Sequence, residues 1–291
     1  MKRLAILIFS LANLLHIANA QSFFGLNTDA GLAWQYDNLD FTHSRIGFDF
    51  TLGATYQWQK DLFLLQTGLG ISPHWLTQSI EDEMIEVSML DTEGIPFTYI
   101  GYVEGRTDKT LALDLSIPLM LGVKYKSFYS LLGVKCYIPL VNRAHQTAYL
   151  TTIGNYGDRH YDILKDMPHH GFFTNKAIST QDKFQTLPDL RICAEFGLDL
   201  RKIGYHSSRT ITSCIQLGVF IEYGLVNTLK DGPYTSITQV DCTQYMEIKM
   251  QHVYTAQKRS TVHINNLRTG LRATILFPTK DCKTCKLQKY F

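Results

Sequence analysis

Large apolar residues occupy every second position over a long stretch in the middle of the chain. They are Leu111, Leu113, Leu115, Ile117, Leu119, Leu121, Val123 and Tyr125. The positions between them are small or polar, and include Asp114, Ser116 and Lys124. A period of two indicates a β-strand with one apolar and one polar face. The stretch is longer than most soluble strands, and therefore favours a strand that crosses a bilayer, for which about nine to eleven residues are needed.

Seven further segments show the same two-faced alternation. Their apolar faces run from Phe24 to Tyr36, Ile46 to Trp58, Phe63 to Trp75, Phe128 to Leu140, Leu190 to Leu200, Ile211 to Leu225 and Leu267 to Phe277. Together with the first segment they make eight strands, and bacterial single-chain barrels have an even number. The pattern predicts an all-β chain that forms an eight-stranded antiparallel transmembrane β-barrel with long extracellular loops.

The connections between these segments alternate in length. Short connections follow strands two, four and six, at Gln59–Asp61, Lys126–Ser127 and Lys202–Arg209. Longer ones follow strands one, three, five and seven, at Asp37–Arg45, Leu76–Thr110, Asn142–Pro188 and Asn227–Asn266. Short periplasmic turns and long extracellular loops are typical of outer-membrane barrels. A soluble sandwich has no reason to collect its long loops at one end, so the alternation favours the membrane barrel.

The N-terminus has the features of a secretory signal peptide. Lys2 and Arg3 precede an apolar run, and Ala18-Asn19-Ala20 is a small-x-small cleavage site. The run of about 14 apolar residues is short for a membrane anchor, and Gln21, which follows the cleavage site, is not a lipoprotein cysteine. We therefore expect a cleaved signal peptide at 1–20, an outer-membrane barrel at 21–278 and a short basic periplasmic tail at 279–291, without a linker that would divide the chain.

Charge and lumen composition refine this expectation. Removing Lys2 and Arg3 from the 28 basic residues leaves 26 basic residues, which balance the 26 acidic residues and give no support to a nucleic-acid partner.

Charged residues fall on the polar faces of the strands and should pair inside the barrel as a polar plug, since eight strands enclose a space that side chains fill. The alternative is a narrow ion path. The charged residues are Asp29, Asp49, Asp114, Glu195, Asp199, Glu222, Lys124, Lys135, Arg191, Arg201, Arg268 and Arg272.

Three segments resemble those of outer-membrane β-barrel proteins common in the Bacteroidetes, of the PorT-like or "outer membrane protein beta-barrel domain" kind. They are Gly122 to Tyr125, Tyr223 to Asn227 and Thr269 to Phe277. The resemblance implies a barrel construction over most of the mature chain, and a role for PorT-like proteins in secretion or envelope assembly. It also implies that a terminal aromatic, Phe277 or the later Phe291, is read by the barrel-assembly machinery.

Cysteines and polar loop residues offer weak candidates for chemistry. The pair Cys282 and Cys285 has no second pair or histidine set, so it predicts a local disulfide or free thiols better than a zinc or redox site. Cys136 should face lipid and Cys242 should lie in a loop, while Cys193 and Cys214 should face the lumen and could bond only if the register places them opposite each other.

Two types of surface hydrolase are the enzymatic alternatives. An omptin-like protease would use loop acids and histidines, for which the candidates are Asp158, His160, Asp162, His169 and His170, but omptins resemble ten-stranded barrels. A lipid A deacylase-like pair would be Ser72 and His74, although simple alternation points both inward. We therefore expect no enzyme, no catalytic, metal or cofactor-binding residues and no cofactor.

Three functions remain open from the sequence. The first is a non-enzymatic outer-membrane barrel with a structural, adhesion or binding role carried by its loops, which contain the aromatic residues Tyr149, Tyr156, Tyr161, Phe172, Phe173, Tyr234, Tyr245 and Tyr254. The second is a PorT-like accessory of a secretion or envelope-assembly system, with the tail Lys280 to Phe291 as its contact. The third is a surface hydrolase. The expected partners are outer-membrane lipid, the barrel-assembly machinery during insertion and a possible secretion-system or surface partner.

Overall fold

The computed structural model describes residues 21–91, 93–157, 163–200, 214–231, 237–241, 247–255, 257 and 260–279. The predicted signal peptide at 1–20 and the tail beyond Thr279 lie outside these residues. The strands are β1 (Gln21–Asp37), β2 (Thr42–Lys60), β3 (Phe63–Ile80), β4 (Glu83–Leu90), β5 (Pro96–Tyr125), β6 (Phe128–Asn155), β7 (Leu164–Lys165), β8 (Lys176–Lys183), β9 (Asp189–Asp199), β10 (Cys214–Gly224), β11 (Thr238–Asp241), β12 (Glu247–Met250) and β13 (Ile264–Pro278). Short 3-10 helices span Pro168–His170 and Val253–Thr255.

Eight of these strands close into a ring. The order around the ring is β1, β2, β3, β5, β6, β9, β10 and β13, and β13 pairs with β1 to complete it. Every neighbouring pair is antiparallel. The ring confirms the eight-stranded antiparallel barrel that the alternation predicted.

The barrel is apolar outside and polar inside. On the outer surface Leu69 is 57% exposed and Leu121 is 63% exposed, and the outward positions of the other strands follow the same pattern. Inward positions hold buried Asp, Glu, Lys, Arg, Gln, Ser and Thr. A soluble protein does not present such a continuous apolar surface to water, so the closed ring has the construction of an outer-membrane barrel.

Tight turns join the strands at the end of the barrel that also holds Gln21 and Pro278. The turns from β2 to β3 and from β5 to β6 have two residues each, and their first residues, Asp61 and Lys126, have positive φ angles of 52° and 55°. The third predicted short connection, Lys202–Arg209, lies outside the described residues. In outer-membrane barrels the end with short turns is periplasmic.

The connections at the opposite end of the barrel contain regular structure that the alternation did not predict. The first connection is only a short turn over 38–41, and the described parts of the other three contain strands. β5 has 30 residues and β6 has 28, so both continue far beyond the apolar band. At about 3.3 Å per residue, residues 96–110 extend β5 by about 50 Å along its length.

β-Bulges make this continuation possible. Gly105, with φ of 61°, lies at a register shift between β5 and β6, and a second shift lies beside Leu140. A bulge inserts one residue and so exchanges the two faces of the strand beyond it. Below Gly105 the apolar residues of β5 point outward to lipid, whereas above it Phe97, Tyr99 and Val103 point inward and are buried.

The extensions and the segments around them form a folded structure that we call the cap. It consists of residues 81–110, 142–188 and 225–263 where these are described. Within the cap, β4 pairs with β5, β6 pairs with β8, and β11 pairs with β12 as a hairpin. Among the described residues, no helix is long and apolar enough to cross a membrane.

Candidate functional site: the charged lumen and the cap

The lumen is filled by a network of ion pairs centred on Arg272. The register places Arg272 of β13 directly opposite Asp29 of β1, and the guanidinium binds that carboxylate through two nitrogen atoms, each 2.5 Å from a carboxylate oxygen. A third guanidinium nitrogen donates to Glu195 Oε2 at 2.5 Å. The hydroxyl of Tyr129 donates to the other oxygen of Glu195 at 2.7 Å. These contacts tie β1, β6, β9 and β13 together across the barrel.

A second group of ion pairs lies closer to the cap, around Glu222. Lys135 donates to Glu222 Oε1, and Tyr137 donates to Oε2 at 2.7 Å. Arg268 lies opposite Glu222 in the register, forms an ion pair with Asp49, and reaches the Glu222 carboxylate at 3.6 Å. Each charge in this group therefore has an opposite charge nearby, as buried charges require.

The predicted lumen charges lie where strand alternation placed them. Every one of them except Arg201, which falls outside the described part of the chain, points inward, and Lys124 at the turn end pairs with Asp199. One inward acid was missed. Asp189, which accepts a hydrogen bond from Arg191 Nε at 2.6 Å, precedes the apolar face that marked β9 but shares the inward parity of Arg191.

Two small cavities lie in the described part of the lumen. A cavity of about 40 Å³ separates the ion pairs from the cap, and its lining includes His74, Asp114, Asp189 and Arg191. Another cavity, of about 10 Å³, lies beside Asp29. One water molecule needs about 10–15 Å³ of such volume, so these cavities have room for a few water molecules at most.

The two residues of the lipid A deacylase hypothesis both lie inside the barrel, as alternation indicated. Ser72 is fully buried, shares a hydrogen bond of 2.8 Å with Thr51 and accepts one from Arg268 at 3.2 Å. His74 Nδ1 lies 3.5 Å from a carboxylate oxygen of Asp114. Neither side chain faces lipid.

The structure describes only two of the five residues named for an omptin-like protease. His169 and His170 are exposed in a 3-10 helix on the cap. Asp158, His160 and Asp162 lie outside the described residues. Among the residues that are described, no group of three histidine, cysteine, aspartate or glutamate side chains is arranged to hold a metal ion.

The cysteines of the barrel do not form a bond with one another. Cys136 shares the outward parity of its strand, and Cys193 and Cys214 are buried inward. Cys193 lies opposite Glu222, whereas Cys214 lies opposite Leu276, so the register does not bring the two inward cysteines together. Cys242, Cys282 and Cys285 lie outside the described residues.

Two hydrophobic cores lie in the cap and at its junction with the barrel. One contains Phe97, Tyr99, Val103, Ala148, Leu150, Phe172, Ile248 and Met250. The other contains Ile80, Leu229, Val253, Tyr254, Val262 and Ile264. Three of the loop aromatics that the structure describes pack within the cap. Phe172 and Tyr254 are buried and Tyr156 stacks on Phe97 at 4.9 Å, whereas Tyr149 remains 51% exposed. Tyr161, Tyr234 and Tyr245 lie outside the described residues.

Buried polar residues join the cap to the barrel rim. Arg106 is fully buried, forms an ion pair with Asp108 at 3.2 Å, and donates to the backbone oxygen of Gln251. Burial raises the pKa of Asp108 despite this ion pair. The hydroxyl of Tyr254 donates to Asp37 at 2.7 Å, and burial together with that carboxylate raises the pKa of Tyr254 well above its ordinary value.

His252 is a buried neutral side chain at the same junction. Its ring stacks on Phe184 at 4.3 Å and its Nε2 lies 3.2 Å from the Thr110 hydroxyl. Burial, reinforced by the charge of Arg106, lowers the pKa of His252 to about 3. The folded cap therefore holds this histidine uncharged at neutral pH.

The comparisons with known proteins give a distant structural likeness. No family model matches the chain, and no curated protein matches its sequence. Among solved structures it is similar to Ail, the attachment invasion locus protein of Yersinia pestis, in complex with the heparin analogue sucrose octasulfate. The identity is 8%, the alignment covers 87% of this chain and 99% of that one, and the TM-score is 0.27. With so low a score, the barrel rests on this chain's own strand pairing and exposed apolar surface.

Proposed function

We propose that this protein is a non-enzymatic outer-membrane barrel that presents its cap outside the cell to bind a macromolecular partner, in an adhesion or other binding role. The observation that carries the proposal is the cap itself. β5 and β6 continue past the membrane as paired strands, and their inward faces enclose a hydrophobic core. Such a scaffold holds a binding surface in a fixed position.

The filled lumen supports a binding role over a transport role. A conducting pore needs a continuous aqueous path, whereas Arg272, Glu195 and Asp29 occupy the middle of this barrel as a paired cluster. We therefore assign no ion conduction to the protein. When the protein is inserted into a planar bilayer, we expect no regular conductance steps.

The proposal also assigns no catalysis. Ser72 is held by Thr51 and Arg268 inside the lumen, where a lipid or peptide substrate has no access to it. His169 and His170 are taken as part of the exposed polar surface of the cap.

An accessory role in secretion or envelope assembly, as the PorT-like resemblance implies, is the second candidate. Its support is the resemblance and the basic tail in the sequence. One resembling segment has a structural use, since the Asn227 side chain donates to the backbone oxygen of Val262 at 2.6 Å and accepts from the amide of Leu229 at 3.1 Å. Removing residues 280–291 tests this role. Loss of secretion with an assembled barrel would favour it, and unchanged secretion would count against it.

The cap-binding proposal is tested by display on cells of a non-adhesive laboratory strain. The wild type is compared with a chimera in which residues 81–106, 143–187 and 227–262 are replaced by short turns that reconnect the same barrel strands. Attachment to protein-coated, glycan-coated and cell-covered surfaces is counted after washing, and heat-modifiable gel migration checks that both barrels are assembled. The proposal expects attachment by the wild type alone. Equal attachment by both proteins, or by neither, contradicts it.

A further inference from the structure

β4 forms one end of the cap sheet, and its outer edge has no strand beside it among the described residues. It pairs only with β5, in an unbroken register from Glu83 opposite Val103 to Leu90 opposite Pro96. Lower down the barrel, the same side of β5 is covered by β3. Because β3 ends at Ile80, β4 continues above the rim with one edge uncovered.

The hydrogen-bond pattern shows which backbone groups this edge offers. The amide of Asp91 donates to the carbonyl of Ile95 at 3.0 Å, so the Asp91–Ile95 pair faces β5. In an antiparallel ladder alternate residues face opposite neighbours, so the N–H and C=O groups of Met84, Glu86, Ser88 and Leu90 face away from β5. An extended peptide of about eight residues could pair with all four positions.

β4 has only part of the usual protection of an edge strand, namely the negative charge of Glu86. Natural edge strands commonly carry lysine, proline or a bulge that discourages pairing with another strand. The eight residues of β4 include no lysine and no proline, and the pairing with β5 shows no bulge. Met84 is 56% exposed and Leu90 is 68% exposed, so the open edge is bordered by apolar side chains.

The charged residues in the chain segment that contains β4 are all acidic. From Trp75 to Gly105 the sequence has seven acidic residues and no lysine, arginine or histidine. Some of these acids have structural contacts, since Asp82 accepts from the amide of Gly105 at 2.8 Å and Glu83 accepts from Thr238 at 2.6 Å. Within the described part of the chain, the exposed side chains of Glu86, Glu93 and Glu104 form no hydrogen bond or ion pair, although the backbone amide of Glu93 donates to Asp91 Oδ1 at 2.9 Å. Their carboxylates are therefore available to a cationic partner.

Charge also decides between two kinds of occupant. Pairing of β4 with a second copy of itself would bring two Glu86 side chains and their acidic neighbours close together, and like charges across paired strands are destabilising. A strand with lysine or arginine on its side chains would instead meet opposite charge.

We propose that the outer edge of β4 is a strand-addition site for an extended basic segment of a partner protein. The segment adds to the cap sheet through the backbone groups at Met84, Glu86, Ser88 and Leu90, and Glu86 contributes the charge preference. This inference rests on the proposed binding function of the cap and names the chemistry of its partner.

The test uses the full-length protein refolded in detergent micelles and a fluorescent eight-residue peptide of alternating lysine and valine with blocked ends. Fluorescence anisotropy measures its binding, with a glutamate–valine peptide as the charge control. Ser88→Pro removes an outward amide and places a ring at the edge, while Ser88→Ala keeps the amide and is the matched control. Heat-modifiable migration and near-UV circular dichroism verify that both variants are folded.

The expected result is saturable binding of the lysine peptide to the wild type and to Ser88→Ala, with about tenfold weaker binding to Ser88→Pro. Glu86→Gln should weaken binding about twofold to threefold, and added salt should weaken it further. The glutamate peptide should not bind. Equal binding to folded Ser88→Pro and Ser88→Ala would overturn the strand-addition site, and so would the absence of lysine-peptide binding or equal binding of both peptides.

The two proposals fail separately. If cells that display Ser88→Pro attach as well as wild type while the chimera without a cap does not, the cap-binding function stands and the β4 site is wrong. If the chimera attaches like wild type, the cap-binding function is wrong whatever the peptide result.

Discussion

Arg272→Met should strongly destabilise the barrel. The residue is only 4% exposed, and its side chain donates three hydrogen bonds to Asp29 and Glu195. Methionine fills a similar volume but leaves two carboxylates without their main cation. Breaking a buried pair by removing one partner costs about 3–5 kcal/mol, and each charged hydrogen bond contributes about 1.5–3 kcal/mol. We expect a loss within the 3–5 kcal/mol range because Lys135, 3.7 Å from Asp29, gives partial compensation.

Urea unfolding in lipid vesicles measures this loss. The three tryptophans, Trp34, Trp58 and Trp75, all lie on the first three barrel strands and report unfolding by fluorescence. The exposed Arg45→Met on β2 is the matched control and should change stability by less than about 0.5 kcal/mol. Adding Asp29→Asn and Glu195→Gln to Arg272→Met should recover at least half of the loss. A loss below about 1 kcal/mol for Arg272→Met would refute the claim that the ion-pair network holds the barrel together.

Two other predictions concern the cap. Gly105→Val places a β-branched side chain at a φ of 61°, so we expect the cap alone to lose about 1–3 kcal/mol of stability. The loss should appear as faster proteolysis of the cap while heat-modifiable migration stays unchanged. An unaffected cap would show that the bulge is not required. The pKa of His252 is lowered from 6.5 to about 3 on folding, so its contribution to stability is present above pH 6.5 and is lost as the pH falls towards 3. Cap stability of the wild type should therefore fall in that window relative to His252→Gln, followed by near-UV circular dichroism; parallel curves would contradict the buried neutral histidine. The comparison cancels the opposite effect of Asp108, whose raised pKa favours the folded state at low pH.

The sequence predicted the barrel wall well because a period of two leaves little ambiguity. Once one residue of a strand faces lipid, every inward position on that strand is determined. Alternation alone therefore places Asp29, Glu195 and Arg272 in the lumen. Their partners depend on register, which alternation alone does not give.

The cap was missed because its strands change phase. In β5 the odd-numbered apolar residues from Leu111 onward face outward, whereas those before Gly105 face inward. A similar change of face occurs beside Leu140 on β6. The alternation of apolar residues breaks at such a shift, so the sequence pattern of one long strand predicts a strand followed by a loop. The signal was present in the alternating Phe97, Tyr99 and Val103, but only the bulge explains why they continue the strand.

The open edge of β4 was harder still to predict. The acidic stretch from Trp75 to Gly105 is visible in the sequence. That β4 is an edge strand depends on where β3 ends and on which strands pair above the rim, and these follow from the three-dimensional packing of the cap.

The central claim is that the chain is a closed barrel in the outer membrane. It is tested most directly by separating the cell membranes and running the protein on a gel with and without boiling. The account predicts enrichment in the outer-membrane fraction, with the unheated protein migrating differently from the boiled one. A soluble periplasmic protein whose migration does not change on boiling would contradict it, because the apolar faces of the strands would then have to pack against each other.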